Sequence, residues 1–373
     1  MGDLDSLRAT LRLTLAPGVG AITFQRLIKA FGDAASVPVN NPPLLRRVYD
    51  IGEKTAAAIA AVPPEEVDQE LTLADQLGAR ILCVGDADYP ASLKNIPDPP
   101  PTLYMLGRLA PTDALAIGLV GARHCTHYGL EQAERFAQLL GRAGFAIISG
   151  GARGIDSAGH RGALTVGGRT VAVMGCGLAK LYPPENQTLF EQIVREDRGA
   201  ILSELPLRTT VLPGNFPTRN RIISGMSLGV LVVEAARRSG SLITANVAAE
   251  QGRTVFAVPG RVDSATSQGT NQLIRNGAIL VQDLDDILEH LGEVGAKMAP
   301  APEELFPPAP MPTDPIELKV LAALKGGPMN LDDLVRQTQI ASGKALATMT
   351  MLVLKGAVSQ QAGNVFSLKR PMA

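Results

Sequence analysis

The chain has 373 residues, more than one ordinary hydrophobic core covers, so the sequence predicts two or three domains. Hydrophobic residues make up 46% of the chain and charged residues 19%, as in a globular enzyme or binding protein, and the net charge of −1 argues against a uniformly basic protein. Three distant cysteines without a CxxC pair support neither a zinc ribbon nor a disulfide framework. The polar start and the lack of an apolar run of ~18 residues predict no signal peptide and no membrane span, so we expect a cytoplasmic protein.

Residues 1–70 are predicted to form a small helical domain of the SAM or helix-hairpin-helix type. Apolar residues recur at helical spacing on both sides of the turn 17–20, and a second turn at 50–52 precedes an alanine-rich helix. In a helix-hairpin-helix the backbone N–H groups of the turn can bind DNA phosphate without reading sequence. Few lysines and arginines lie near these turns, so a role in packing or protein interaction stays open.

Residues 71–292 are predicted to form an extended Rossmann-like domain. After a helix, a short strand at 79–84 and a proline-rich passage, short apolar strands alternate with helices. This alternation indicates a doubly wound parallel sheet covered on both faces. The strands are expected at 114–120, 146–149, 170–174, 200–203, 229–233, 254–257 and 278–281, and the helices at 131–141, 155–164, 186–195, 243–251 and 270–276.

The last part of the chain is predicted to be a linker and a separate small domain. Residues 293–313 are rich in proline and alanine, as linkers often are. Residues 314–373 contain three amphipathic segments followed by a hairpin pattern around 362–364, which is typical of a winged helix. Such domains bind either DNA or protein, and the sequence leaves both open.

Glycines and arginines concentrate in the loops that should follow the strands. These loops hold Gly121–Gly129, Ser149–Asp156 and Gly175–Pro183, and a cationic loop from Phe216 to Arg221 precedes the strand that leads into Ser239–Ser241. Ligands of open α/β sheets bind at the carboxyl ends of the strands, where glycine lets the backbone approach an anion and a helix N-terminus offers N–H donors. Residues 213–280 carry seven arginines against three acidic residues, a local net charge of +4. The pattern predicts a site for a phosphate backbone.

Nucleotide and catalytic signatures are weak. No GxGxxG or GK[ST] motif is present, so NAD and ATP are disfavoured and no cofactor is predicted. His124, Cys125 and His127 are neighbours without an orienting carboxylate or a third metal ligand, so neither a catalytic triad nor a metal site is predicted. His160 is interpreted as a packing residue and Asp156 as a residue that caps a helix.

The same loops resemble the bacterial DNA-processing protein A (DprA/Smf) family over roughly residues 85–290. The resemblance is carried by Gly121-Ala122-Arg123, by Ser149-Gly150 with Ala152-Arg153-Gly154-Ile155-Asp156, by Tyr182-Pro183 with Asn186, by Phe216-Pro217 with Arg219-Asn220-Arg221, and by Ser239-Gly240-Ser241-Leu242-Ile243-Thr244-Ala245. The family's GSR-type triplet has alanine in place of serine here, which removes one hydroxyl and keeps the arginine.

The resemblance implies a non-enzymatic protein that binds and protects single-stranded DNA, helps to load the recombinase RecA during natural transformation, and forms a homodimer through its Rossmann-like domain. The alternative is a nucleoside-monophosphate hydrolase of the LOG type. That class needs an acid after its glycine loop, and here no acid follows Ser239-Gly240-Ser241 before Glu250. DNA contacts are expected at Gly121, Arg123, Thr126, Ser149, Gly150, Gly151, Lys180, Phe216, Arg219, Asn220, Arg221, Ser239, Gly240, Ser241 and Arg275.

Overall fold

The computed structural model describes residues 2–292, 294, 314–354, 357–361 and 365–368. It divides into two compact units, residues 1–301 and 302–373. The boundary lies in the predicted linker, most of which is outside the described residues. The further division of the first unit near residue 70 stays a prediction.

Helices open the larger unit. They are α1 (Gly2–Thr14), α2 (Ala21–Phe31), α3 (Pro42–Leu45), α4 (Glu53–Ala61) and α5 (Pro64–Leu77). Their apolar faces contribute Leu11, Leu27 and Ile59 to a buried cluster that also contains Tyr104 and Phe190 from the sheet region. The helical start is therefore packed into the same hydrophobic core as one face of the sheet.

Within the described residues, the larger unit has a nine-stranded sheet in the order β1-β2-β6-β5-β4-β3-β7-β8-β9. The strands are β1 (Arg80–Cys83), β2 (Thr102–Gly107), β3 (Ala116–Val120), β4 (Ala146–Ser149), β5 (Thr170–Val173), β6 (Gly199–Ser203), β7 (Gly229–Val232), β8 (Thr254–Ala257) and β9 (Ile279–Leu280). Neighbours from β6 to β9 pair in parallel, whereas β2 pairs antiparallel with both β1 and β6. The strand order reverses between β3 and β7, which is where open α/β sheets have their ligand crevice.

Helices cover both faces of this sheet. They are α6 (Ala91–Lys94), α7 (His127–Arg142), α8 (Ile155–Thr165), α9 (Gln187–Arg195), α10 (Asn215–Gly225), α11 (Ser241–Glu250), α12 (Gln268–Arg275) and α13 (Asp285–Leu288). Strands β3 to β7 are buried along their whole length because helices shield them from water on both sides. This arrangement confirms the predicted Rossmann-like fold class.

The smaller unit is a winged helix, as predicted. It contains α14 (Pro315–Leu324), α15 (Leu331–Thr338) and α16 (Ser342–Leu354), with strands β10 (Met329–Asn330), β11 (Val358–Gln361) and β12 (Val365–Leu368) in the order β10-β12-β11. Val320, Leu334, Met349 and Phe366 form its core. The predicted turn at 362–364 lies outside the described residues.

Two elements differ from the sequence-based expectation. Strand β2, which the proline-rich passage concealed, extends the sheet by antiparallel pairing with β6. The segment from Phe216 to Arg221, expected as a cationic loop, belongs to helix α10, and Arg219, Asn220 and Arg221 are buried. Helix α10 begins just after Pro213-Gly214 and packs against α11 and α6. The loop expectation was wrong because tertiary packing buries a segment whose local composition is polar.

No helix among the described residues has the length and apolar character that crossing a membrane requires.

Candidate functional site

A small pocket lies at the carboxyl edge of the parallel strands. Three loops and the first turn of α10 supply its lining, which consists of Arg123 after β3, Gly150, Ala152 and Arg153 after β4, Gly175, Cys176, Tyr182 and Pro183 after β5, and Phe216. It leaves a space of about 10 Å³, which is room for about one water molecule. A larger ligand must therefore lie across the rim or move the rim side chains.

Phe216 forms one wall of the pocket. Its ring packs so closely on Gly175 that a Cβ atom there would lie 3.1 Å from the ring edge. The guanidinium carbon of Arg123 lies 4.7 Å from the ring centroid, within cation–π distance. Arg123 is exposed and makes no hydrogen bond or ion pair with any other described residue. The wall thus presents an aromatic ring and a free cation to solvent.

Tyr182 and Arg153 form the opposite wall. The Tyr182 ring lies 6.5 Å from that of Phe216, with the two planes tilted by 52°. The Arg153 guanidinium carbon lies 5.5 Å from the Tyr182 centroid, and Arg153 Nη1 donates to the Tyr182 hydroxyl. Arg153 also donates to the carboxylate of Glu185, with Nη2 2.6 Å from Oε1. Each wall therefore pairs one exposed arginine with one aromatic ring, and the buried Arg219 also lies 6.0 Å from the Phe216 centroid.

Arg219 lies beneath the pocket, with only 5% of its surface exposed. Its Nη1 donates to the carbonyls of Gly150 and Val173, at the ends of β4 and β5. Burial lowers the pKa of Arg219 to about 10, and the nearby Asp156 opposes that shift. Burial likewise raises the pKa of Asp156, against the favourable charge of Arg219. At neutral pH Arg219 is a cation whose partners are all inside the protein.

The glycine loop after β4 is held by its own neighbours. Asp156 Oδ2 accepts hydrogen bonds from the backbone N–H groups of Gly150 and Ala152, and Asn186 Nδ2 donates to the carbonyls of Gly151 and Ala152. A Cβ atom at position 150 would collide with Arg219 Nη2 and would lie 2.7 Å from Asp156 Oδ2, so only glycine fits there. The N–H groups of Gly150 and Ala152 are thus engaged internally, and Asp156 braces this loop.

Arg221 is also buried and is a structural link. Its Nε lies 2.9 Å from Asp98 Oδ2, and its Nη2 lies 2.5 Å from Glu204 Oε2. The Asn220 amide oxygen accepts from Arg219 Nε. These contacts fasten α10 to the proline-rich passage and to the end of β6, so its buried basic residues hold the helix that carries Phe216.

Four further residues expected at the site have internal partners. The Thr126 hydroxyl caps α7 through the N–H of Gly129 and donates to Glu234, with 2.6 Å between the two oxygens. The Ser149 hydroxyl is buried and donates to the Leu119 carbonyl. Gly121 packs against Ile155, and Gly151 packs against Phe190. These four residues shape the loops from below.

The remaining expected residues lie outside the pocket lining. Ser239 and Ser241 contact each other through their hydroxyls, 2.8 Å apart, beside Gly240 at the start of α11. Lys180 is exposed in the loop after β5, and Arg275 is exposed at the end of α12. Of the fifteen expected residues, the pocket lining brings together Arg123, Gly150 and Phe216.

Arg153 and Tyr182 are two of the six lining residues that sequence reasoning left out of the site. Both stand in segments that carried the family resemblance, Ala152-Arg153-Gly154 and Tyr182-Pro183. The sequence did not show that the two side chains lie close together, because 29 residues separate them along the chain. An arginine in a loop after one strand and an aromatic residue after the next strand of a parallel sheet could have indicated it.

The histidines and cysteines are separate from the pocket's chemistry, apart from Cys176 in its lining. His160 is fully buried, its Nδ1 lies 2.6 Å from the Thr170 hydroxyl, and burial lowers its pKa to about 3. His127 contacts Glu131 on its own helix. Burial raises the pKa of the thiols of Cys125 and Cys176. Within the described ranges, no three His, Cys, Asp or Glu side chains are grouped so as to hold a metal ion.

Two family models match the sequence of this chain. Residues 80–292 match the family model described as DNA recombination-mediator protein A, and residues 303–364 match the DprA winged helix domain. Protein Smf of Synechocystis sp. is 36% identical over 93% of this chain and 94% of its own length.

Two solved structures are also similar. The X-ray structure of DNA processing protein A from Streptococcus pneumoniae has a TM-score of 0.65 and 31% identity, and the match covers 76% of this chain and 97% of that chain. The Helicobacter pylori DNA processing protein A, whose single-stranded DNA binding mode has been described, has a TM-score of 0.51 and 29% identity over 57% of this chain and 95% of that chain.

Proposed function

We propose a function for a chain that belongs to the DNA recombination-mediator protein A family: it binds single-stranded DNA across the pocket between Phe216 and Tyr182. The observation that carries the proposal is Arg123, an exposed cation that makes no hydrogen bond or ion pair within the described part of the chain and lies over the Phe216 ring. Cations that follow the backbone and aromatic rings that stack with bases are the two parts of a single-strand site.

The geometry favours single strands over duplexes. A base of a single strand can offer its face to Phe216, whereas a base in a duplex is stacked between its neighbours. The space of about 10 Å³ is too small for a base, so we propose that the strand crosses the rim, with a phosphate near Arg123. In this position Arg123 contacts a phosphate and no base, so we expect similar affinities for single strands of different sequence.

We further propose that the protein protects incoming DNA and helps to load RecA during natural transformation. Support comes from the similarity to DNA processing proteins of several bacteria, including those of Bacillus subtilis and Streptococcus pneumoniae. The cytoplasmic location remains a prediction that suits this role.

We propose that the protein acts without catalysis. The described pocket lining contains no carboxylate. Of the two acids that contact lining residues, Glu185 is paired with Arg153, and the buried Asp156 accepts from the N–H groups of Gly150 and Ala152. A hydrolase of the LOG type needs an acid directed at the bond to be cleaved. Incubation with nucleoside monophosphates, followed by chromatography for free base, tests this alternative; release of base that depends on Glu185 would support the hydrolase.

We propose a homodimer formed through the Rossmann-like domain. The side of the sheet around β7 to β9 exposes apolar side chains: Val262 is 92% exposed, Leu280 42% and Ile243 41%. Leu280 lies on β9, a two-residue strand at the sheet edge, and exposed edges invite pairing. Light scattering of the whole chain at micromolar concentration should give twice the mass of one chain, and Leu280→Glu should shift it toward the monomer. A wild-type monomer would contradict the dimer.

A salt titration tests the DNA site. Fluorescence anisotropy with labelled single- and double-stranded oligonucleotides should show tighter binding to the single strand. Arg123→Ala should weaken binding to every single-stranded sequence and should flatten the slope of log K against log salt by about 0.7, the contribution of one phosphate. Arg195→Ala is the matched control, because Arg195 is an exposed arginine at the far end of α9. Equal affinities for wild type and Arg123→Ala, with folding intact, would remove the site.

A further inference from the structure

The Arg153–Glu185 ion pair lies at the rim of the pocket and is exposed to solvent. Arg153 follows β4 and Glu185 follows β5, so the pair bridges two loops. Both the Nε and the Nη2 of Arg153 donate to Oε1 of Glu185, at 3.2 and 2.6 Å. The side chains are 43% and 60% exposed, and exposed pairs of this kind contribute little to folding. The contact can therefore open at small cost.

The two walls of the pocket differ in one respect. Each has an arginine over an aromatic ring, Arg123 over Phe216 and Arg153 over Tyr182. Arg123 makes no ion pair with an acid among the described residues and has only a longer-range charge interaction with the buried Asp156, whereas Arg153 is paired directly with Glu185. The neighbouring Asn186 fixes the loop from inside through the Gly151 and Ala152 carbonyls. The loop therefore has hydrogen bonds inside the protein that do not involve Glu185.

We infer that Arg153 is a second phosphate-binding residue of the site, and that the Glu185 carboxylate occupies its guanidinium until DNA replaces it. The inference rests on the proposed function of the same pocket. A phosphodiester carries one negative charge and two free oxygens, so it can accept hydrogen bonds from the same N–H groups of Arg153 that now donate to Glu185. Binding then exchanges one anion for another on Arg153, and Glu185 lowers the affinity for DNA.

The Glu185 carboxylate lowers the net positive charge at the rim of the pocket, where the DNA strand binds. With Glu185 present, Arg123, Arg153 and Glu185 together carry a net charge of +1 at the rim. Glu185→Gln raises it to +2 and frees Arg153, so the phosphate no longer has to displace a carboxylate. The variant should bind single-stranded oligo(dT) roughly two- to fivefold more tightly at low salt, the effect of removing one exposed ion pair. Its slope of log K against log salt should stay close to that of wild type, because both proteins neutralise the same number of phosphates.

The experiment is a double-mutant cycle with the whole chain, measured by anisotropy over a salt series. Arg153→Gln should weaken binding, and Glu185→Gln should give no gain in the Arg153→Gln background. Asp197→Asn is the matched control, since Asp197 pairs with the exposed Arg108. Asp197 lies just before the amino end of β6, away from the carboxyl ends of the strands that form the pocket. The substitution removes the same charge and should leave binding unchanged.

The outcomes separate the inference from the proposed function. Glu185→Gln could bind DNA no more tightly than wild type while Arg123→Ala still weakens binding. That result would contradict the anion exchange on Arg153 and would leave the proposed single-stranded DNA site intact. If Glu185→Gln strengthens binding equally with and without Arg153, the gain is a general charge effect and the inference fails. If Arg123→Ala has no effect, the proposed function itself fails.

Discussion

Two sets of arginines surround the pocket and behave differently. The rim arginines, Arg123 and Arg153, lie over aromatic rings and face solvent. The floor arginines, Arg219 and Arg221, lie on the helix that carries Phe216, and they are buried with carbonyl and carboxylate partners. A buried guanidinium must find its hydrogen bonds inside the protein, so it supports a site without touching the ligand. Burial, rather than residue type, therefore distinguishes the arginines that can bind the ligand from those that support the site.

The largest effect should come from breaking the floor. Arg219→Met leaves Asp156 buried without its cation, and we expect the free energy of unfolding to fall by about 3–5 kcal/mol. The double variant Arg219→Met with Asp156→Asn should recover part of that loss, because neither charge is then buried alone. Urea unfolding followed by circular dichroism measures both. The control Arg195→Met should stay within about 0.5 kcal/mol of wild type. A loss below about 1 kcal/mol for Arg219→Met would mean that the floor arginine is not needed for the fold.

A smaller effect, on binding alone, should come from the rim. Phe216→Ala should cost about 1–3 kcal/mol of single-stranded DNA binding through lost stacking, with little change in the salt slope. Phe216→Trp gives a direct readout, because the chain contains no tryptophan. Its fluorescence should change when oligo(dT) binds and should report stacking on the ring. Affinity unaltered in Phe216→Ala would contradict the stacking role, as would a Trp signal insensitive to DNA.

A third prediction concerns a buried group without a counter-charge. Burial lowers the pKa of His160 to about 3, whereas an unfolded histidine has a pKa of about 6.5. As the pH falls below 6.5, His160 binds a proton in the unfolded chain but not in the folded chain. The free energy of unfolding therefore falls by up to about 1.4 kcal/mol per pH unit. His160→Gln should lower stability at pH 7.5 but should show a shallower loss between pH 6.5 and 5. The free energy of unfolding is measured by urea unfolding at each pH for both proteins. If it fell with the same slope against pH in wild type and His160→Gln, His160 would accept its proton in the folded state.

The amino-acid sequence by itself determined the main architecture. Short apolar strands that alternate with helices require a parallel sheet covered on both faces, and the carboxyl ends of such strands meet at one edge. The site could therefore be predicted at the glycine- and arginine-rich loops, and Arg123, Gly150 and Phe216 do line one pocket. The winged helix followed from helical spacing and a hairpin pattern in the same way.

Only the tertiary structure decided which arginines face the ligand. Arg219 and Arg221 stand in a polar stretch that is typical of an exposed loop, yet α10 is packed beneath the pocket and both are buried. Arg153 and Tyr182 meet although 29 residues separate them, because β4 and β5 are neighbours in the sheet. Burial and partnership depend on which elements pack together, and local sequence carries little information about those long-range contacts.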